Sequence, residues 1–172
     1  VTLFQMGGGN VRFTLDLPDE PVRMSIDRRL ISQAITNLVK NGAEAVQAKA
    51  ESEDAPADYK GLVETRLHVE DGHAVIEVID NGAGLSKQMR ARLLEPYVTT
   101  KAKGTGLGLA IVQKVIEQHG GRLELADAPC NETRTSGAMV RLRLPLAPSL
   151  PVDPTGDGHT TQTEPHVPAP AS

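Results

Sequence analysis

The sequence predicts an α+β fold, a two-layer sandwich in which about three helices cover one face of a mixed, mostly antiparallel sheet. Three observations lead there. Segments of alternating apolar and polar residues recur near both ends of the chain and in its middle, each bounded by turn-forming residues. Between them lie two long stretches whose apolar residues repeat with helical spacing. The resulting order, β-β-α-β-β-(α)-α-β-β, suits helices packed on one side of an antiparallel sheet. The 172 residues suffice for one domain with a core. Aromatic residues make up only 2%, so that core must be built from aliphatic side chains.

Val11, Phe13 and Leu15 alternate with Arg12, Thr14 and Asp16, the pattern of a half-buried strand. Pro18 and Pro21 bracket a turn, and Val22 to Ile26 is expected to form a second short strand. Asp27 then stands where an N-cap belongs, ahead of a helix running to about Ala50 with Leu30, Ile31, Ala34, Ile35, Leu38, Ala45 and Val46 on its apolar side. The polar stretch ESEDAPADYK (51–60) is a surface loop. Val63, Thr65, Leu67 and Val69 start the next strand, Asp71-Gly72 turns it, and Ala74 to Ile79 returns as a more apolar and more central strand. A short helix over about 86–94 is stopped by Pro96. A glycine-studded loop follows, then a helix from about Gly106 to His119, closed by Gly120-Gly121. Arg122 to Leu125 and Ala138 to Leu144 complete the sheet. The domain is expected to span 1–147. Residues 148–172, rich in Pro and Thr, bury too little apolar surface to offset their ordering entropy and read as a disordered tail.

Composition excludes several functions. A net charge of −4 argues against a broad nucleic-acid surface. One cysteine, Cys130, cannot form an internal disulfide or a multi-cysteine metal site, and the five histidines show no paired ligand spacing. No apolar run approaches the roughly 18–20 residues that span a bilayer, and no signal peptide opens the chain. The expectation is a soluble protein in a reducing compartment, the cytoplasm.

Three motifs carry chemistry. Asn37, Lys40, Asn41 and Glu44 form one polar stripe on the long helix. Asparagine is costly inside a helix, but an amide oxygen can ligate Mg²⁺, and a nearby lysine can meet phosphate charge. The plainer alternative is a solvated face with a local ion pair. Second, Asp80-Asn-Gly82-Ala-Gly84 follows a buried strand. An aspartate there can accept a hydrogen bond from the exocyclic amine of adenine, where guanine carries a carbonyl; otherwise the segment is a turn. Third, Lys103-Gly104-Thr105-Gly106-Leu107-Gly108 runs into a helix, exposing backbone N–H groups at a helix N-terminus, an arrangement suited to phosphates. It is neither a dinucleotide fingerprint nor a P-loop. Each motif is weak alone. Their joint order is not.

With these residues the sequence resembles the sensor histidine kinases of two-component signalling, within the wider Bergerat-fold ATPase group. Asn37 to Ala45 looks like their N box, Asp80 to Gly84 like the first glycine box, Glu95 to Lys101 (EPYVTTK) like the F box and Gly104 to Gly108 like the second glycine box. The resemblance covers roughly residues 5–147. The fuller wording, GTGLGLAIVQKVIEQHGG, ELADAP and GAMVRLRLP, is similar to the NtrY-type nitrogen-regulation kinases. It implies Mg²⁺ and ATP as cofactors, Asn41 as the metal ligand, Asn37 and Lys40 near the phosphates, and Asp80 with Gly82 and Gly84 at adenine. It also implies a mobile lid over about 85–105 in which Lys101 and Lys103 can reach the phosphates, Tyr97 either anchors the lid or contacts the nucleotide or partner domain, and Gly104, Thr105, Gly106 and Gly108 form the glycine-rich end, with Leu107 packing the base of the lid.

The sequence departs from the family's pattern in places. Tyr97 and Val98 stand where Phe is usual, Gly42 follows Asn41 where Ala is common, and Gly137-Ala-Met139 stands where many relatives place a hydroxyl residue near adenine.

Hydrolases of the same group resemble one another in a glutamate four residues before the metal-binding asparagine, the base for water attack. Here that residue is Asn37, and an amide accepts no proton at neutral pH. Transfer to a neutral imidazole needs positioning and charge neutralisation more than a base. The expected activity is therefore protein-histidine kinase, with an ATP hydrolase or a nucleotide-binding regulatory module as alternatives. Upstream of Asn37 there is no histidine, so the acceptor is expected on a dimerisation domain that precedes Val1. The resemblance further implies a downstream response regulator, a dimeric parent anchored in the bacterial inner membrane, and a monomeric fragment.

Overall fold

Among the described residues six strands form one sheet in the order β1-β2-β3-β4-β6-β5, where β1 is Thr2–Phe4, β2 Val11–Asp16, β3 Gly61–Glu70, β4 His73–Asp80, β5 Arg122–Asp127 and β6 Ala138–Pro145. The computed structural model describes residues 2–4, 11–85, 90, 108–131 and 134–146. Only β2 and β3 pair in parallel; every other neighbour is antiparallel. The parallel pair follows from the crossover helix between them, α1 (Arg28–Ala50). A second helix, α2 (Gly108–Gln118), precedes β5. The expected α+β sandwich is thus observed. The short helix expected over about 86–94 and the tail 148–172 fall outside the described residues, apart from a helical Arg90.

α1 buries Ile31, Ala34, Leu38, Gly42 and Val46, spaced three or four apart, against the sheet. They meet Val63 of β3, Ile76 and Val78 of β4, Leu142 and Leu144 of β6, and Val112, Val115 and Ile116 of α2 in a single core. Asp27 caps α1 as expected: its Oδ1 accepts from the N–H of Arg29 (2.9 Å) and of Leu30 (3.1 Å), a bond set worth about 1 kcal/mol. α2 ends as its Gly120-Gly121 pair predicts, Gly121 N–H donating to Ile116 O at 2.9 Å and Gly120 N–H to Glu117 O at 3.0 Å. His119 ties the two helices together. The Asp27 N–H donates to its Nε2 at 3.0 Å, so Nδ1 carries the proton and donates to Val115 O at 2.7 Å. This is a structural histidine, as its place at the helix end suggests.

One expected strand is absent. Val22 to Ile26 joins no ladder. Met24 and Ile26 do lie against the core, so the alternation there records which side chains are buried and not a hydrogen-bonded pairing. The strand that pairs with β2 on that side is β1. The Asp71-Gly72 turn is as expected, with φ of 48° and 71°, the geometry of a two-residue hairpin.

The sheet face opposite the helices is organised by charge. Asp16, Arg66, Glu77, Arg141 and Glu124 stand side by side on β2, β3, β4, β6 and β5, alternating in sign. Arg141 donates to Glu77 Oε1 from Nε (2.9 Å) and from Nη2 (2.7 Å). A one-residue slip would turn these side chains to the other face and bring aliphatic residues into the row, so the row pins the register.

Gly42 faces β3 and β4, where an added methyl would meet Val63 Cγ1 at 3.4 Å and Asp80 Cβ at 3.6 Å, ordinary van der Waals contact. Gly42→Ala should therefore fit and raise stability by about 0.5–1 kcal/mol through helix propensity. Gly137→Ala should act in the opposite sense. Gly137 has φ 144° and its Cβ would collide with the Asp80 carbonyl oxygen, so a loss of about 2–4 kcal/mol is expected. Thermal or urea unfolding of both variants checks the pair.

Candidate functional site

β4 is buried from Ala74 to its end, and Asp80 is its last residue. The carboxylate bends back so that Oδ1 accepts from Gly82 N–H at 2.8 Å, the hydrogen bond of an Asx turn, and from Ala138 N–H of β6 at 3.3 Å. Among the described residues both donors engage Oδ1 and not Oδ2. Burial raises the Asp80 pKa; the two backbone hydrogen bonds and the charges of Arg134 and Lys49 pull the other way without cancelling it. A buried carboxylate with one oxygen committed and one open is suited to receive a neutral N–H donor.

Close backbone approach holds this turn in place. A Cβ on Gly82 would lie 3.0 Å from the carbonyl carbon and oxygen of Ala45 in α1, so the turn presses directly on the helix that carries Asn41. Gly84 sits against the carbonyl of Gly137, with 3.1 Å between that oxygen and a built Cβ. Asn81 is buried and wholly structural. Its Oδ1 accepts from Leu62 N–H (2.8 Å) and the Tyr59 hydroxyl (3.1 Å), and its Nδ2 donates to Lys60 O (2.8 Å).

The sequence-predicted residues converge in part. Asn37 and Asn41 are half-buried on α1. Asn41 Nδ2 stands 3.6 Å from the Cβ position of Gly108, so the asparagine faces the start of α2. Gly42, its neighbour, faces Asp80. Asp80 and Gly82 thus lie against the stretch of α1 whose Asn41 faces Gly108 at the start of α2, while Gly84 lies against Gly137. Lys40 is exposed and lies 4.0 Å from Glu44, the local ion pair that helical spacing allows. Tyr97, Lys101, Lys103, Gly104, Thr105, Gly106 and Leu107 lie outside the described residues.

Four groups around the turn escaped the sequence reading. Lys49, eight residues after Asn41 on the same stripe of α1, donates to Asn81 O (3.1 Å), Gly82 O (3.4 Å) and Ser136 Oγ (2.6 Å), with its ammonium 5.0 Å from the centre of the Tyr59 ring. Ser136 Oγ donates to Gly82 O at 2.8 Å. A hydroxyl is therefore present beside the turn, one residue before the Gly137-Ala-Met139 stretch that lacks one. Arg134 is 2% exposed and donates to Glu64 Oε2 at 2.8 Å. Only the continuation of the Asn37–Asn41 stripe hinted at Lys49; the others come from loops that carry no periodic signal.

Comparison with known proteins identifies the family and the fold. Residues 26–148 match the family described as histidine kinase-, DNA gyrase B- and HSP90-like ATPase. The chain is 50% identical over 149 residues to the nitrogen regulation protein NtrY of Azorhizobium caulinodans, covering 84% of this chain and 18% of that protein. It is 31% identical to the signal transduction histidine-protein kinase AtoS of Escherichia coli, covering 86% and 22%. It therefore spans about a fifth of the length of these relatives. The solved catalytic domain of histidine kinase ThkA superposes with a TM-score of 0.62 at 28% identity, covering 80% of each chain.

Burial and the neighbouring Asp80 carboxylate push the Tyr59 phenol up to about 12. Because the folded chain holds that proton more tightly than an unfolded one, stability is intact below pH ~10 and is lost as pH rises through about 12. In a Tyr97→Phe background Tyr59 is the sole tyrosine. Its phenolate absorbance should appear at about 12 in the folded protein and near 10 in denaturant.

Proposed function

Because the chain belongs to the histidine kinase-, DNA gyrase B- and HSP90-like ATPase family, we propose that it is the Mg·ATP-binding catalytic domain of a sensor histidine kinase and delivers the γ-phosphate to a histidine carried elsewhere. The carrying observation is the Asp80 carboxylate, buried at a strand end with Oδ1 held by two backbone N–H groups. Its Oδ2 accepts the exocyclic amine of adenine; guanine would present a carbonyl to it and be repelled.

Asn41 lies across the same region, at the N-terminus of α2, where backbone N–H groups and the helix dipole favour phosphate. Its amide oxygen suits Mg²⁺, a hard cation that takes few protein ligands and keeps water and substrate oxygens. Among the described residues no group of three or more His, Cys, Asp or Glu is arranged to hold a metal ion. Bound Mg²⁺ would neutralise phosphate charge. Asn37 flanks the phosphates and cannot serve as a base for water, which favours transfer to an imidazole over hydrolysis. Lys40, Lys101, Lys103, Gly104, Thr105 and Gly106 are assigned to the phosphate side of the nucleotide, Leu107 to the base of the lid, and Tyr97 to anchoring the lid or meeting the nucleotide.

The two relatives named above carry nitrogen-regulation and histidine-kinase names. We extend to the parent of this chain a histidine-bearing dimerisation domain, a response regulator as next acceptor, a homodimeric state and anchorage in the inner membrane. In the described part no helix is long and apolar enough to cross a membrane. The catalytic domain is taken to end at 147, with 148–172 a tail.

Titration with ATP and GTP in the presence and absence of Mg²⁺ tests the reading. Wild type should prefer ATP and bind it more tightly with Mg²⁺. Asp80→Asn should lose about 1.5–3 kcal/mol of ATP affinity, the value of a hydrogen bond to a charged group. Affinity should also fall as pH drops through the raised Asp80 pKa, because protonation removes the acceptor's charge. With radiolabelled ATP and a separate histidine-bearing domain, label on the acceptor supports the kinase. Free phosphate without acceptor would identify a hydrolase, and retained binding with neither product a regulatory module.

A further inference from the structure

Asn41, Ala45 and Lys49 follow one another at four-residue intervals along one face of α1. At the first, the asparagine amide faces the start of α2; at the second, the helix backbone meets Gly82; at the third, the ammonium reaches under the Asp80 turn. The three N–H donors of Lys49 have three oxygen partners, Asn81 O at 3.1 Å, Gly82 O at 3.4 Å and Ser136 Oγ at 2.6 Å. Ser136 in turn donates to Gly82 O at 2.8 Å, and the Tyr59 hydroxyl to Asn81 O at 3.1 Å. The two carbonyls that follow Asp80 are therefore tied, through one cation, to the helix bearing Asn41 and to the strand entry at Ser136. Hydrogen bonds from a charged donor are stronger than those from a neutral one, and the shortest here is the one to Ser136 Oγ.

We propose that Lys49 is a positioning residue for purine recognition: it fixes the Asp80–Gly82 turn on α1 and so sets both the aim of the Asp80 carboxylate and its spacing from Asn41. The proposal rests on the assignment of Asp80 to adenine. Lys49 does not touch the nucleotide. Its effect is on selectivity, because a turn released from α1 lets Oδ2 swing away from the amine that distinguishes adenine from guanine, while the phosphate contacts at α2 stay in place.

The test is a comparison of ATP and GTP affinities of the 172-residue chain as wild type, Lys49→Met, Lys49→Arg and Ser136→Ala, with unfolding midpoints measured in parallel. Lys49→Met removes every donor while keeping length and should weaken ATP binding about tenfold with little change for GTP, narrowing the preference. Lys49→Arg should restore most of it, and Ser136→Ala should narrow it to a smaller degree. An unchanged ATP-to-GTP ratio in a folded Lys49→Met protein would overturn the proposal. So would equal losses for both nucleotides, which mark general loosening. Should Lys49→Met fail to fold, the Ser136→Ala ratio decides in the same way. Absence of any ATP preference in wild type would instead refute the assignment of Asp80.

Discussion

Three backbone segments meet around Asp80 at distances that only glycine permits, and the rest of the site depends on that meeting. Gly82 lets the turn after β4 rest on the carbonyl of Ala45, and Gly137 lets the start of β6 lie against the carbonyl of Asp80 itself. With side chains at either place the turn would be pushed off α1 or β6 would be pushed off β4. The carboxylate would then lose the N–H groups of Gly82 and Ala138 that fix its orientation. Close packing here is a condition for aiming a charge, as well as a source of stability.

Aiming a charge inside a protein has an electrostatic cost. Asp80 is removed from water, which by itself opposes ionisation. No cation touches it directly among the described residues; Arg134 and Lys49 act at a distance, each with its own oxygen partners. Such an arrangement keeps one carboxylate oxygen open. A lysine or arginine in direct contact would stabilise the empty site more and compete with any incoming donor.

The other face of the sheet solves a different problem with the same residue types. There the acids and bases alternate across five strands and satisfy one another, Arg141 with Glu77, and Arg66 with Glu64. For Glu64, burial would raise the pKa, yet the hydrogen bonds and charges of Arg66 and Arg134 outweigh it and hold the carboxyl below the usual range. Charges are mutually neutralised where they set register and left incompletely neutralised at the strand end. That contrast separates the carboxylates that set register in this fold from the one proposed to receive a ligand.

Local rules carried much of this into the sequence. Helical periodicity named the stripe of α1 that is buried, Asp27 its cap, and Asp71-Gly72 the hairpin, because each depends on residues within a few positions of one another. The order of the asparagine stripe, the aspartate-glycine turn and the glycine-rich loop pointed to the family for the same reason. Alternation misled at Val22 to Ile26, since it reports burial and cannot tell a paired strand from an extended segment lying on a core. Tertiary structure alone decided that Lys49, Tyr59, Ser136 and Gly137 surround the turn, because they are separated from Asp80 by 21 to 57 positions. Contacts over such distances are set by how the strands order in the sheet and how α1 crosses it, and no local pattern encodes that.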